Sequence, residues 1–204
     1  MTWETRAHPT TVEEYLRWDE GNTIKHEYVG GYVYAMSGAT TRHNRITLNL
    51  AMALRDVARR RGCQVFASDV KLRVSGDCCY YPDVMLACGK AAAVDSVVAE
   101  PMLVGEVTSP ATRRVDNREK LDAYLRIPSL RAYLIVDQRR RHVAVASRLP
   151  DGGCVRAEYS SGEIPLDFLG HAIAIDEIYD GIELPPIAVG EDEGDFWSDD
   201  DEVY

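Results

Sequence analysis

At 204 residues, with 46% hydrophobic and 27% charged side chains, the chain can build a sizeable core and has the composition of a globular protein. No apolar run reaches the roughly 18 residues of a membrane span, and Met1-Thr2-Trp3-Glu4-Thr5-Arg6 lacks the basic start of a secretory signal, so a cytoplasmic protein without membrane contact is expected. The formal charge of −10 is concentrated in eight acids between residues 188 and 204; the body holds 25 acids against 23 bases, which leaves nucleic acid open as a partner.

Along the chain, residues 10–16 predict a short helix whose threonine precedes an acidic first turn. Segments 24–29 and 32–36 flank Gly30-Gly31, the two-residue loop of a β-hairpin. From 43 to 61, Ile46, Leu50, Ala53, Leu54, Val57 and Ala58 recur at helical spacing, and Gly62 ends the run. A strand over 64–74 turns at Ser75-Gly76-Asp77 into a strand over 78–86, and the two are expected to pair antiparallel. Residues 89–100 read as a loop or short helix, 102–107 as a further strand, and Ser109-Pro110 as its break. Asp116-Asn117-Arg118-Glu119 has capping-box spacing and opens a helix, with Leu121, Tyr124 and Leu125 facing the core and Lys120 at their border, which Pro128 stops. Strands follow at 132–137, 142–147 and 154–159. The order predicts an α/β (mixed α+β) fold, a central mixed sheet flanked by helices with an N-terminal hairpin and extra C-terminal strands. One domain is expected over 1–187, with 188–204 as a flexible acidic tail anchored at most by Phe196-Trp197.

Five cysteines without CxxC spacing argue against both a disulfide framework and a zinc site, so reduced thiols are expected. Cys78 and Cys79, adjacent in a strand, point to opposite faces. The arginine runs 59–61, 113–114 and 139–141 read equally as solvated surface or phosphate contacts.

The chemistry-bearing residues are Asp83 and Glu106, each set in an apolar run where a charge is costly unless compensated, together with Lys120. Phosphodiester hydrolysis needs a hard cation with oxygen ligands, which Asp83, Glu106 and the Val107 backbone carbonyl can supply as Mg²⁺ or Mn²⁺ ligands. Lys120 would orient water or offset charge building on phosphorus. Glu27 is either a third site carboxylate or half of a hairpin salt bridge with Lys25 or an arginine. His43 is a hydrogen-bonded core histidine or a site residue. Asp116 reads as a helix cap, Asp137 as a strand-end acid and Tyr124 as core.

These residues resemble the PD-(D/E)xK nuclease superfamily of restriction endonucleases. Pro82-Asp83 matches the PD; Glu106-Val107-Thr108 matches E-x-K only at its first position, which leaves Lys120 as the migrated lysine. Closer still is the bacterial Uma-two family of restriction endonuclease-like proteins, a domain of unknown function. That resemblance covers about residues 11–183 and rests on Lys25-His26-Glu27-Tyr28-Val29, Tyr80-Tyr81-Pro82-Asp83-Val84, Glu106-Val107-Thr108-Ser109-Pro110, Glu119-Lys120-Leu121-Asp122-Ala123-Tyr124 and Ala132-Tyr133-Leu134-Ile135-Val136-Asp137. It implies a restriction endonuclease-like core, with catalytic Asp83, Glu106 and Lys120, Mg²⁺ or Mn²⁺, DNA as substrate or ligand, and, by analogy, a homodimer. The alternative is a nuclease-fold module without turnover that binds nucleic acid or protein.

Overall fold

The computed structural model describes residues 11–36, 38–89, 97–109, 112 and 115–186. The predicted acidic tail, the Arg113-Arg114 pair, Pro110 and most of the 89–100 segment therefore lie outside the described residues.

Helix α1 (Val12–Asp19) is capped by Thr11, whose hydroxyl accepts from the Glu14 backbone N–H while the Glu14 carboxylate accepts from Thr11 N–H, a capping box. The hairpin forms between β1 (His26–Val29) and β2 (Tyr32–Ala35). Gly30 and Gly31 both take positive φ, 56° and 91°, as a tight turn requires. Helix α2 (Thr41–Arg60) buries the predicted stripe through Ile46, Leu50, Leu54, Val57 and Ala58.

The two long strands predicted next are each divided. Residues 64–74 become β3 (Cys63–Ala67) and β4 (Lys71–Ser75). Residues 78–86 become β5 (Cys78–Tyr80) and β6 (Val84–Cys88). The predicted antiparallel pairing persists in both halves, as β3 with β6 and β4 with β5. The breaks coincide: Ser68 and Asp69 take left-handed φ of 53° and 58°, and Tyr81-Pro82-Asp83 crosses opposite them, so the ribbon leaves one sheet and enters another. In the second run β5 and β6 are both buried, so the apolar pattern of 78–86 concealed the break, whereas in the first run β3 is only partly buried and Ser68-Asp69 marks the break.

The remaining strands are β7 (Val97–Val98), β8 (Pro101–Thr108), β9 (Ala132–Asp137), β10 (Val143–Arg148), β11 (Cys154–Tyr159), β12 (Glu163–Leu166) and β13 (His171–Ala174), with α3 (Leu121–Leu125) after β8 and α4 (Ile175–Ile178) at the end. A six-stranded sheet has the order β11-β10-β9-β8-β6-β3, and a five-stranded sheet the order β2-β1-β5-β4-β7. In the larger sheet β8 and β9 are parallel, so the chain must cross over between them, and that crossover carries Lys120. One face of this sheet packs on α2, α4 and the β12–β13 hairpin through Leu50, Leu54, Leu103, Val107 and Ile173. The other packs on α3 and the smaller sheet through Leu72, Tyr80, Val104, Leu121 and Tyr124. Gly105 sits on the α2 face, where an added Cβ would lie 2.8 Å from Leu50 Cδ2, so a larger residue there would require the Leu50 side chain to shift. Among the described residues no helix is long and apolar enough to cross a membrane.

Two further expectations are corrected. Cys63 and Cys88 form a disulfide. They are directly opposed in the β3–β6 register, with Cα atoms 4.0 Å apart, and odd count and spacing along the chain carry no information about that pairing. Cys78, Cys79 and Cys154 are free, and Cys78 and Cys79 do face different cores. The second correction concerns Asp116-Asn117-Arg118-Glu119, which opens no capped α-helix. Residues Val115–Lys120 form a π-helical turn leading into α3, and the Asp116 side chain is buried against Lys120.

A buried acid and lysine cluster at the strand crossing

The candidate site is assembled from six elements at one end of the larger sheet. β6 and β8 pair antiparallel with Val84 opposite Gly105, so one further step brings Asp83 beside Glu106. Asp83 Oδ2 accepts from the Val107 backbone N–H at 2.7 Å, which extends the ladder through a side chain. The same oxygen lies 3.1 Å from Nε2 of His43, in the first turn of α2. The Thr40 hydroxyl caps that turn by accepting from His43 N–H, and donates to Gln138 Oε1 at 2.8 Å, which ties the helix start to the end of β9.

Lys120 projects from the crossover into the midst of three acids. Its Nζ is 3.1 Å from Glu106, 3.2 Å from Glu27 and 3.5 Å from Asp116, and 5.3 Å from the centroid of the Tyr80 ring. Tyr124 donates to Glu106 Oε1 at 2.8 Å. The π-helical turn is held from the sheet, since the Tyr133 hydroxyl donates to the Asp116 carbonyl. Glu106, Asp116 and Lys120 are only 4%, 3% and 7% exposed. All line a cleft of about 510 Å³ whose opposite wall is the β1–β2 hairpin.

The electrostatics follow from counting charges. Four carboxylates, Glu27, Asp83, Glu106 and Asp116, face one lysine and one histidine. Burial raises the Glu106 pKa well above the carboxylate range; Lys120 opposes this, but Asp83, Asp116 and Glu27 reinforce it. Burial would lower the Lys120 pKa, yet Glu106, Glu27 and Asp116 outweigh it and hold the ammonium charged. For His43 burial again lowers, and the hydrogen bond and charge of Asp83, the charge of Asp116 and a hydrogen bond to the Val107 backbone raise the pKa overall.

Every sequence-predicted site residue thus converges here, including Glu27, whose partner is Lys120; Lys25 pairs instead with Asp69. Two residues were missed. Asp116 read as a cap, although its i,i+4 spacing to a lysine was a visible signal. Tyr124 is core by its ring and part of the cluster by its hydroxyl. Asp137, as expected, ends its strand, accepting from Arg139 N–H and Arg140 Nε. Thr108, in the position of the usual motif lysine, is buried, and its hydroxyl meets Ser109 and Thr112.

The donor set fits a hard divalent cation, being all oxygen and in excess of its counter-charges. As the side chains stand, no group of three His, Cys, Asp or Glu among the described residues is arranged to hold a metal.

The sequence profile of the family described as "Uma2: Putative restriction endonuclease" matches residues 12–176. Two uncharacterized proteins of Synechocystis are similar. One, slr1290, is 31% identical over 173 residues, which are 83% of this chain and 91% of that protein. The other, sll1609, is 34% identical over 132 residues, 63% of this chain and 75% of that protein. A crystal structure titled as a "putative nuclease" from Anabaena variabilis superposes with a TM-score of 0.69 at 15% identity, over 84% of this chain and 98% of the other. That likeness establishes a shared fold.

Proposed function

The chain belongs to the Uma2 family, and from that premise we propose that it is a metal-dependent endonuclease that hydrolyses DNA phosphodiester bonds by attack of water on phosphorus. The observation that carries the proposal is the convergence of Asp83 and Glu106, on adjacent strands, with Lys120 in an acid-rich cleft. Mg²⁺ or Mn²⁺, held by Asp83, Glu106 and the Val107 carbonyl, would supply polarisation of the phosphate and a water of lowered pKa. The Lys120 ammonium, kept charged by its acids, stabilises negative charge developing on the phosphoryl oxygens. Tyr124 orients Glu106 by donating to one of its oxygens. His43 fixes the Asp83 carboxylate through Oδ2, the oxygen that also accepts from Val107 N–H. A cytoplasmic homodimer with one site per strand suits double-strand cleavage.

A second reading, a nuclease-fold binding module without turnover, draws support from Thr108 in place of the motif lysine and from the salt bridges that occupy the acids. Calorimetric titration of Mg²⁺ or Mn²⁺ into wild type and Asp83→Ala, with plasmid and single-stranded DNA cleavage scored in the same samples, separates the two. The nuclease reading expects binding and cleavage in wild type and neither in a folded Asp83→Ala. Cleavage retained by that variant removes the site assignment, and metal binding without any cleavage favours the binding module.

A further inference from the structure

We propose that Asp19, the last residue of α1, is a positioning residue for the site: its carboxylate clamps His26 to Tyr81 across the open end of the β1–β5 pairing and so fixes where Glu27 and Asp83 stand in the cleft. Its bearing on metal binding rests on the nuclease reading of the cleft.

The β1–β5 pairing sets Val29 against Cys78 and Tyr28 against Cys79. Continued by two steps, the same register puts His26 opposite Tyr81, but β5 ends at Tyr80 and Pro82 has no N–H with which to extend a ladder. Asp19 spans the opening instead. Its Oδ1 lies 3.0 Å from Nδ1 of His26, and its Oδ2 accepts from the Tyr81 hydroxyl at 2.6 Å and pairs with Lys71 Nζ at 3.0 Å. Asp19 and Lys71 are 5% and 6% exposed, and the Lys71 ammonium also lies 5.9 Å and 5.4 Å from the centroids of the Tyr15 and Tyr81 rings. A buried carboxylate that holds three partners at these distances is fixed in orientation.

Each clamped residue stands beside a site acid. Successive strand residues face opposite sides, so with His26 turned to α1, Glu27 turns to the cleft, where its Oε1 accepts from the Tyr81 N–H at 3.4 Å and pairs with Lys120 at 3.2 Å. Tyr81 stands two residues before Asp83, and Pro82 between them has a fixed φ, which leaves little slack between the clamped ring and the Asp83 carboxylate. Charge compensation alone would need only the Asp19–Lys71 pair; the contacts to His26 and Tyr81 add a constraint on Glu27 and Asp83. Groups that orient a metal-ligating side chain from behind typically change metal affinity by about 10- to 100-fold when removed.

The test compares the full chain with Tyr81→Phe, which removes only the hydroxyl. In metal-free protein, amide hydrogen exchange followed by NMR reads the two N–H groups that the acids hold, Val107 on Asp83 and position 81 on Glu27, with buried Leu134 of β9 as the gauge of global opening. The variant is expected to speed exchange at positions 81 and 107 by roughly 2- to 13-fold relative to Leu134, the net worth of one hydrogen bond. Calorimetry should show Mn²⁺ affinity falling by about 10-fold or more. Should Tyr81→Phe fail to fold, His26→Ala, at a partly exposed position, reads the same selective exchange. Equal acceleration at all three amides, or none, overturns the clamp and leaves Asp19 as half of a structural ion pair, and so does a folded variant whose Mn²⁺ affinity matches that of a wild type that binds. Wild type that binds no Mn²⁺ removes the metal-dependent reading instead; selective exchange then still upholds the clamp, and uniform exchange overturns it.

Discussion

Glu106 is the residue at which the proposed function and the stability of this protein pull apart. A structural salt bridge would be matched one to one, whereas here Lys120 serves three carboxylates while Asp83 adds a fourth charge. A pKa raised in the folded state means that the folded chain holds the Glu106 proton more tightly than the unfolded chain does. Stability from this group is therefore full below its ordinary value of 4.5 and falls as pH rises through the raised one. In metal-free protein Glu106→Gln should raise Tm by an amount on the order of 2–4 °C at neutral pH, with the gain vanishing toward pH 4, and on the nuclease reading it should abolish metal-dependent cleavage. Thermal melts of both proteins across that pH range check it; a lower Tm at every pH would mean that Glu106 is a structural ion-pair partner. Asp83, Glu106 and Lys120 were legible in the sequence because charged groups in apolar runs need compensation. Asp116 was not, since capping-box spacing and a π-helical turn look alike until the Tyr133 hydroxyl, seventeen residues away, takes the Asp116 carbonyl.

At the level of elements, local periodicity revealed α1, α2 and the β1–β2 hairpin, each with one face in the core, while the central strands β8 and β9, buried on both faces, showed as continuous apolar runs. It failed between β5 and β6, where a run buried on both sides of the change of sheets keeps its apolar pattern. The change of sheets matters for the site: it turns Tyr81-Pro82-Asp83 into a corner that leaves Asp83 at the strand end, and the Tyr81 N–H, at 3.4 Å, donates to Glu27. The tie across the far end of the same β3–β6 ribbon is the Cys63–Cys88 disulfide, which closes a 25-residue separation. Such a loop is worth about 3 kcal/mol in the chain-entropy account. Thiol titration in denaturant should find three free thiols before reduction and five after it, as the pairing of two cysteines requires. Cys88→Ser should lower unfolding stability by about that 3 kcal/mol; five titratable thiols without reductant would remove the bond and the prediction with it.

For the whole molecule, the nuclease reading asks how an acidic protein with an acid-lined cleft would approach a polyanion. The cleft's own excess charge is local, and a bound divalent cation would offset it at short range. The remaining repulsion is long-range and comes mainly from the eight acids of residues 188–204, without which the formal charge is −2 rather than −10. Those charges act on association whatever conformation they adopt, because the field of a net charge extends about 10 Å at 0.1 M salt and farther when salt is lower. Truncation after Pro186 should then tighten DNA binding at low ionic strength, and the gap to the full chain should close as salt rises toward about 0.5 M, where screening shortens that reach to less than half of its length in 0.01 M salt. Anisotropy titrations of both forms over a salt series make the comparison. A difference that persists in high salt would point to the tail occupying the cleft directly, as a mimic of nucleic-acid charge held by specific contacts. Unchanged affinity at every salt concentration would mean that DNA meets this surface beyond reach of the tail, so that the near-neutral body alone governs encounter.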